Sequence, residues 1–214
     1  EIYRALDLQL VPPELREARG EVAAAQAGTL PTLVTLEDMR GDLQTHTVAS
    51  DGKATIEQMA LAARKHGYDY LAITDHSPLL AMIRGVDAED LAHQIETIAR
   101  LNEELDGIRV LSSVEVDILA DGSLDLPRDI LCRLDLVVAS VHTRFNLPRD
   151  RQTERIIRAM DHPCMHILGH PTGRRIGRRP PYDVDVERLM RAALERGCYL
   201  EINASPERLD VDDV

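Results

Sequence analysis

Five short apolar runs, each closed or followed by a histidine or glutamate, constrain this chain more than any other feature of its sequence. The runs are Asp42–His46, Tyr70–Thr74, Arg109–Val114, Leu136–Val141 and Met165–Leu168, and they lead to His46, His76, Glu115, His142 and His170. Helical patterns separate them. Thr55–Lys65 stops at Gly67; Asp87–Leu105 sets Leu91, Ile95, Ile98 and Leu101 on one face; a short helix spans Pro127–Leu134. Arg151–Met160 and Val184–Arg196 follow, the second stopped by Gly197, and a sixth strand, Tyr199–Ile202, ends at Asn203. Strands alternating with helices imply right-handed parallel crossovers. The nearly unbroken apolar run Leu136–Val141 is what a strand covered on both faces requires. With no glycine-rich dinucleotide fingerprint, an α/β fold of barrel type is expected over a doubly wound sheet. Its site should lie at the carboxyl ends of the strands. Six strands are too few to close a barrel.

Such a barrel would bring His46, Asp51, His76, Glu115, His142 and His170 to one mouth. Imidazoles and carboxylates without thiolates suit zinc, manganese or iron. Glu115, a carboxylate amid histidines, is the natural bridge between two ions, and several divalent ions at a basic mouth point to hydrolysis of a phosphate ester. Glu115 and His142 are the residues whose loss is expected to abolish catalysis. The basic character would come from Arg174 and Arg175, with Arg178 and Arg179 close by and Arg144 separately placed. These guanidiniums could clamp a phosphate. Asp75 is either a turn residue or a carboxylate that orients His76. Asp117 and Asp121 read as solvated loop acids, and His66, His93, His162 and His166 as structural.

The remaining features set limits. A formal charge of −12 over 214 residues argues against a chain that coats nucleic acid along its whole surface. There is no apolar run of membrane-spanning length and no signal segment, so no membrane partner is expected. Cys132, Cys164 and Cys198 are far apart and odd in number, so they read as reduced core residues of a cytoplasmic protein. Residues 1–37 differ from the rest. An apolar piece, Ile2–Leu10, meets Pro12-Pro13, and a helix is expected from Pro13 through Ala27 to Gly28. This part reads as a linker or tail without chemistry, ahead of a domain at 38–214.

Taken together, GDLQTHTVASDG, LAITDHS, SSVEVDIL, VVASVHTRF and ILGHPTGR resemble the successive motifs of the PHP (polymerase and histidinol phosphatase) superfamily. The resemblance covers about residues 41–205. VEVDIL, ILGHPTGR and LEINASPERLD are closer still to the C-terminal PHP domain of bacterial family X DNA polymerases. Residues 1–17 resemble the segment that joins that domain to an upstream polymerase domain. The resemblance implies a distorted (β/α)7-type barrel holding up to three divalent ions, manganese or zinc. It also implies a 3′→5′ exonuclease that processes DNA 3′ ends. The ligand positions it matches are His46, Asp51, His76, Glu115, His142 and His170. Two departures stand out. Gln44 replaces the first histidine of the usual His-x-His, and an amide oxygen is a weaker ligand for zinc than an imidazole. The family's final Asp-x-His motif is not in the sequence, so the barrel is expected to be incomplete at its C-terminus. The alternatives are a non-catalytic scaffold supporting the polymerase domain and a monoesterase of histidinol-phosphatase type.

Overall fold

A computed structural model describes residues 2–79 and 84–211 and divides into two compact units, Glu1–Met39 and Arg40–Val214. In the first unit, α1 (Ile2–Ala5) and α2 (Glu21–Ala27) are joined through a 3-10 turn at Pro13–Leu15. The continuous helix expected from Pro13 is therefore broken. Ala18 and Gly20 are left-handed, at φ 57° and 97°, and the Glu21 carboxylate accepts the N–H groups of Ala18 (3.2 Å) and Arg19 (2.8 Å). Glycine inside a helix costs about 1 kcal/mol relative to alanine, and the alanines downstream do not offset a reversal anchored on both sides. The helix ends where the sequence places its stop, at a left-handed Gly28.

The second unit is an α/β fold. Six strands, β1 (Gly41–Thr45), β2 (Tyr70–Ile73), β3 (Arg109–Asp117), β4 (Leu136–Ser140), β5 (Ile167–Leu168) and β6 (Tyr199–Leu200), form one sheet in sequential order. All neighbouring pairs are parallel. A doubly wound sheet would reverse its strand order part-way, and this one does not, so it is a barrel wall, with β1 and β6 as its edges. The crossovers carry α3 (Ile56–Lys65), α4 (Ala88–Glu104), α5 (Arg128–Leu131), α6 (Arg149–Met160) and α7 (Val186–Arg196). Their starts follow the sequence. Thr55 and Gln58 make a reciprocal capping box on α3, and Asp87 accepts from Glu89 and Asp90 at the head of α4.

Helices cover the sheet through two apolar clusters. The larger joins Val114, Val116, Val137 and Ala139 of the central strands to Leu131, Ile156, Ala159, Leu189 and Ala193 of α5 to α7. The smaller packs Ala60 and Ala63 of α3 and Ile98 and Leu101 of α4 on Leu71, Ile73 and Val110. Two expectations change. Strand β3 runs on to Asp117, so Glu115 lies inside a strand and not beyond its end. Cys132 and Cys164 form a disulfide, with Cα atoms 5.2 Å apart, and only Cys198 is free and buried. Distance along the chain misled here: the two cysteines precede β4 and β5, which are adjacent and parallel, so both fall at the same end of the sheet. Among the described residues no helix is long and apolar enough to cross a membrane.

Candidate metal centre

Glu115 is the centre of the site. It is 2% exposed, and its two oxygens face different pairs of rings. Oε2 lies 3.2 Å from His76 Nδ1 and 3.6 Å from His46 Nε2. Oε1 lies 3.1 Å from His170 Nε2 and 3.4 Å from His142 Nε2. A flat sheet would hold β1 and β5 about 19 Å apart at the usual strand spacing. The curl of the wall lets side chains from both ends reach one carboxylate on β3.

Local sequence explains each placement. Past β2 the chain keeps to β3: Glu115 N donates to Asp75 O and Ser77 N to Glu115 O, 3.1 Å each, which sets His76 beside Glu115. After β1, Gly52 N donates to Thr47 O at 2.9 Å. A Cβ on Gly52 would stand 2.1 Å from His46 O, so only glycine lets the turn close and swing Asp51 back over the ring. Asp51 Oδ1 is then 3.4 Å from His46 Nδ1, and Oδ2 is 3.8 Å from His76 Nε2. At β5 a Cβ on Gly169 would meet Ser140 Oγ at 2.3 Å. The next residue, His170, has φ 25°. This sparsely populated backbone costs on the order of 1–3 kcal/mol, and the His170 N–H holds it by donating to Glu201 Oε2 at 2.5 Å.

Two buried carboxylates support the rings in different ways. Asp117, fully buried, places Oδ1 3.1 Å from His142 Nδ1. It fixes that ring with Nε2 toward Glu115, the usual service of a carboxylate behind a metal-binding imidazole. Asp117 was read as a solvated loop acid. The signal was available, because residues two apart on a strand share a face and Asp117 follows Glu115 by two. Asp75, also fully buried, does not touch His76. It accepts from Thr47 N and Thr47 Oγ1 (2.7 Å each), Ser50 Oγ (2.6 Å) and Gln94 Nε2 (3.1 Å). Its work is to pin the loop between His46 and Asp51. Asp121 is a loop acid bonded to Ser123, as expected.

Electrostatics follow the geometry. Burial pushes the Glu115 carboxyl upward, but hydrogen bonds from His142 and His170 outweigh it and hold the group well below the usual carboxylate range. Burial lowers the His142 pKa, yet Asp117 and Glu115 reverse the sign and raise it to about 9. His76 is lowered, chiefly by burial and against the pull of Glu115.

The residues fit a divalent ion. The donor atoms of His46, Asp51 and His76, and those of His76, Glu115 and His142, lie within 4.8 Å of one another. His170 Nδ1 and Gln44 Oε1 are buried without hydrogen-bond partners. The set holds nitrogen and oxygen donors and no thiolate. Gln44 is beside the site, with Nε2 3.5 Å from His46 Nε2. All six expected His, Asp and Glu positions are thus brought together.

The arginines are placed less uniformly. Arg174 directs Nε to Arg208 O (2.9 Å) and a second nitrogen to Leu209 O, bracing the segment after β6. Arg144 is exposed on the turn after β4, and Arg175 is exposed on the loop after His170. Arg208, which no local pattern singled out, feels the charges of Arg175 and Glu115.

The sequence profile of the PHP domain family matches residues 42–205. The chain belongs to the PHP domain family. Among PHP relatives, the DNA polymerase/3′-5′ exonuclease PolX of Bacillus subtilis (strain 168) is 42% identical over 211 residues. The match takes in 99% of this chain and 37% of that protein, in its C-terminal portion. A probable phosphatase of Thermoanaerobacter sp. (strain X514) is 36% identical over 171 residues, 77% of this chain and 64% of the relative. The chain therefore spans about a third and under two thirds of these two proteins. A crystal structure of histidinol phosphate phosphatase from Lactococcus lactis subsp. lactis Il1403, with zinc, L-histidinol and phosphate, aligns at TM-score 0.49 and 18% identity. That alignment covers 77% of this chain and 73% of the other.

Proposed function

We propose that this PHP domain is a metal-dependent phosphodiesterase that removes nucleotides from DNA 3′ ends, within a protein that also carries a polymerase domain. The observation that supports it most is the division of Glu115, one oxygen toward His46 and His76 and the other toward His142 and His170. A carboxylate shared in this way suits two neighbouring cations better than one. The ligands would be His46, Asp51, His76, Glu115, His142 and His170, with Gln44 as a weak additional oxygen. Manganese or zinc, up to three ions, is the proposed complement. Divalent ions bound there would supply an acidified water as nucleophile and positive charge against the leaving oxygen.

The chain's own residues do the rest. Glu115 and His142 are proposed as essential: the first holds both halves of the site, and the second presents Nε2 in a fixed direction because Asp117 occupies Nδ1. Arg175, Arg144 and Arg208 would offset the charge of a phosphodiester arriving at an otherwise acidic protein, while Arg174 steadies the Arg208 segment. The similarity to PolX supports a DNA substrate, and the similarity to probable phosphatases supports a monoester as the second reading. The test is manganese-dependent release of nucleotides from a single-stranded 3′ end, compared with turnover of a small phosphate monoester. Faster monoester turnover would overturn the exonuclease reading. Stoichiometric metal by elemental analysis after manganese loading separates both enzymes from a metal-free scaffold.

A further inference from the structure

The loop that follows His170 contains a planar stack that the metal centre does not use. Arg179 donates through Nε (2.9 Å) and a terminal nitrogen (2.7 Å) to Gly173 O, so its guanidinium plane is fixed. Its central carbon stands 3.8 Å from the ring centroid of Phe145. Phe145, the chain's single phenylalanine, lies three residues past His142 and stacks on Tyr182, with centroids 6.3 Å apart and planes tilted by 23°. Tyr182 in turn donates its hydroxyl to Pro171 O at 2.7 Å. The layers Tyr182, Phe145 and Arg179 therefore tie the loop after β4 to the loop after β5. Arg179 is the outer layer.

Backbone bonds of 2.8 Å between Arg175 and Arg179 in both directions fold the loop over on itself. Together with Pro180 and Pro181, the arginines at 174, 175, 178 and 179 line a groove of about 560 Å³. Among the described residues, no carboxylate lies within ion-pair distance of Arg175, Arg178, Arg179 or Arg208. Burial and the charges of Arg208 and Arg175 all make the protonated form of Arg179 harder to hold. Like charges are gathered here on one loop, and the pKa values of Arg179 and Arg208 stay lowered although the charge of buried Asp210, which accepts from Thr172 N (3.1 Å) and Arg174 N (3.2 Å), acts in the opposite direction on both.

We propose that this groove is a nucleotide subsite for a single-stranded end: a base stacks on the free face of Arg179, and Arg175 and Arg178 hold the adjoining phosphate. A guanidinium plane already seated on an aromatic ring offers a nucleobase a rigid, delocalised surface, and stacking of this kind tolerates any base. The inference rests on the nuclease reading of the neighbouring metal centre, and its test is separable from that reading.

Binding is measured in EDTA by fluorescence anisotropy, with a labelled oligothymidylate and with the same oligonucleotide made abasic at its 3′-terminal units. The unaltered protein should bind the intact strand about fivefold to tenfold more tightly than the abasic one. Arg179→Lys keeps the charge and loses the plane, so it should abolish that preference. Arg178→Ala, at an exposed position, should weaken both strands alike and reduce the salt slope of binding by about 0.7. Equal affinity of the unaltered protein for the two strands overturns the proposal without any variant. Retention of the preference in a folded Arg179→Lys protein overturns the assignment to Arg179. Because no metal is present, a failure of manganese-dependent hydrolysis would count against the nuclease reading and not against the subsite.

Discussion

On the Oε2 side of Glu115, His46 and Asp51 are 21% and 44% exposed, and the carboxylate that organises them, Asp75, touches backbone and hydroxyl groups but no ring. On the Oε1 side, His142 and His170 are 10% and 5% exposed, Asp117 grips one ring directly, and Glu201 grips the backbone of the other. Arg155 adds to this second half. It is almost wholly buried, and it donates to the carbonyls of Leu119 (2.8 Å), Thr143 (2.9 Å) and Ile118, the residues just past Asp117 and His142. One half is located through its loop; in the other, Asp117 orients the His142 ring and Glu201 holds the backbone of His170. On the proposed metal-binding function, that contrast predicts two binding steps of different affinity and different pH dependence.

The hardest test removes what the halves share. Glu115→Gln should weaken both steps by more than about 100-fold, beyond the range for residues that only orient a ligand. Isothermal titration with manganese or zinc would read this, and loss of a single step would break the picture of a shared carboxylate. The two supporting carboxylates should then separate. Asp117→Asn is expected to weaken one step by about 10–100-fold and leave the other nearly intact. Asp75→Asn turns an acceptor of four hydrogen bonds into a partial donor. It should lower folding stability by about 1.5–3 kcal/mol in urea denaturation. If Asp117→Asn disturbed only stability, the assignment of that carboxylate to the His142 ring would fail.

The same contrast marks how far the sequence could be read. Strand ends on one side of the sheet, a barrel-type strand order and helix starts near Thr55 and Asp87 were legible, because each depends on local periodicity and neighbouring side chains. The six His, Asp and Glu positions were legible for a related reason: a parallel wall sends every carboxyl end to one rim. What escaped depends on tertiary closeness. Asp117 is the exception, legible by its spacing of two from Glu115 but missed because the strand runs three residues past its apolar run; Arg208 was hidden by a turn that folds back with no local pattern. The pairing of Cys132 with Cys164 was invisible until β4 and β5 were known to be neighbours. Asp75 was seen, but only the curl shows that it faces Thr47, Ser50 and Gln94 and not the ring beside it.

A smaller effect is expected from pH. In the metal-free protein the His142 pKa lies at about 9, above its ordinary 6.5. The stability this ring contributes is therefore fully present below pH 6.5 and is lost as pH rises through about 9. A metal must displace the same proton, so affinity at the Oε1 half should climb across that window while stability without metal falls. Thermal melts in EDTA and titrations at matched pH would check both signs. Asp117→Asn should move the window down, since it removes the strongest of the contacts that raise this pKa.

The least disruptive change is at Gln44. It precedes His46 by two residues, its Nε2 lies 3.5 Å from His46 Nε2, and its Oε1 is buried without a partner. An imidazole there would add a nitrogen donor to the looser half alone. Gln44→His should therefore raise zinc affinity at the step served by His46 and His76 by about tenfold or less, at most about 1.4 kcal/mol. The step served by His142 and His170 should not move, because those rings face the other oxygen of Glu115. A rise in both steps would mean that the carboxylate transmits what happens on one side to the other. In that case the halves act as one site, and the asymmetry in how they are held has no consequence for binding.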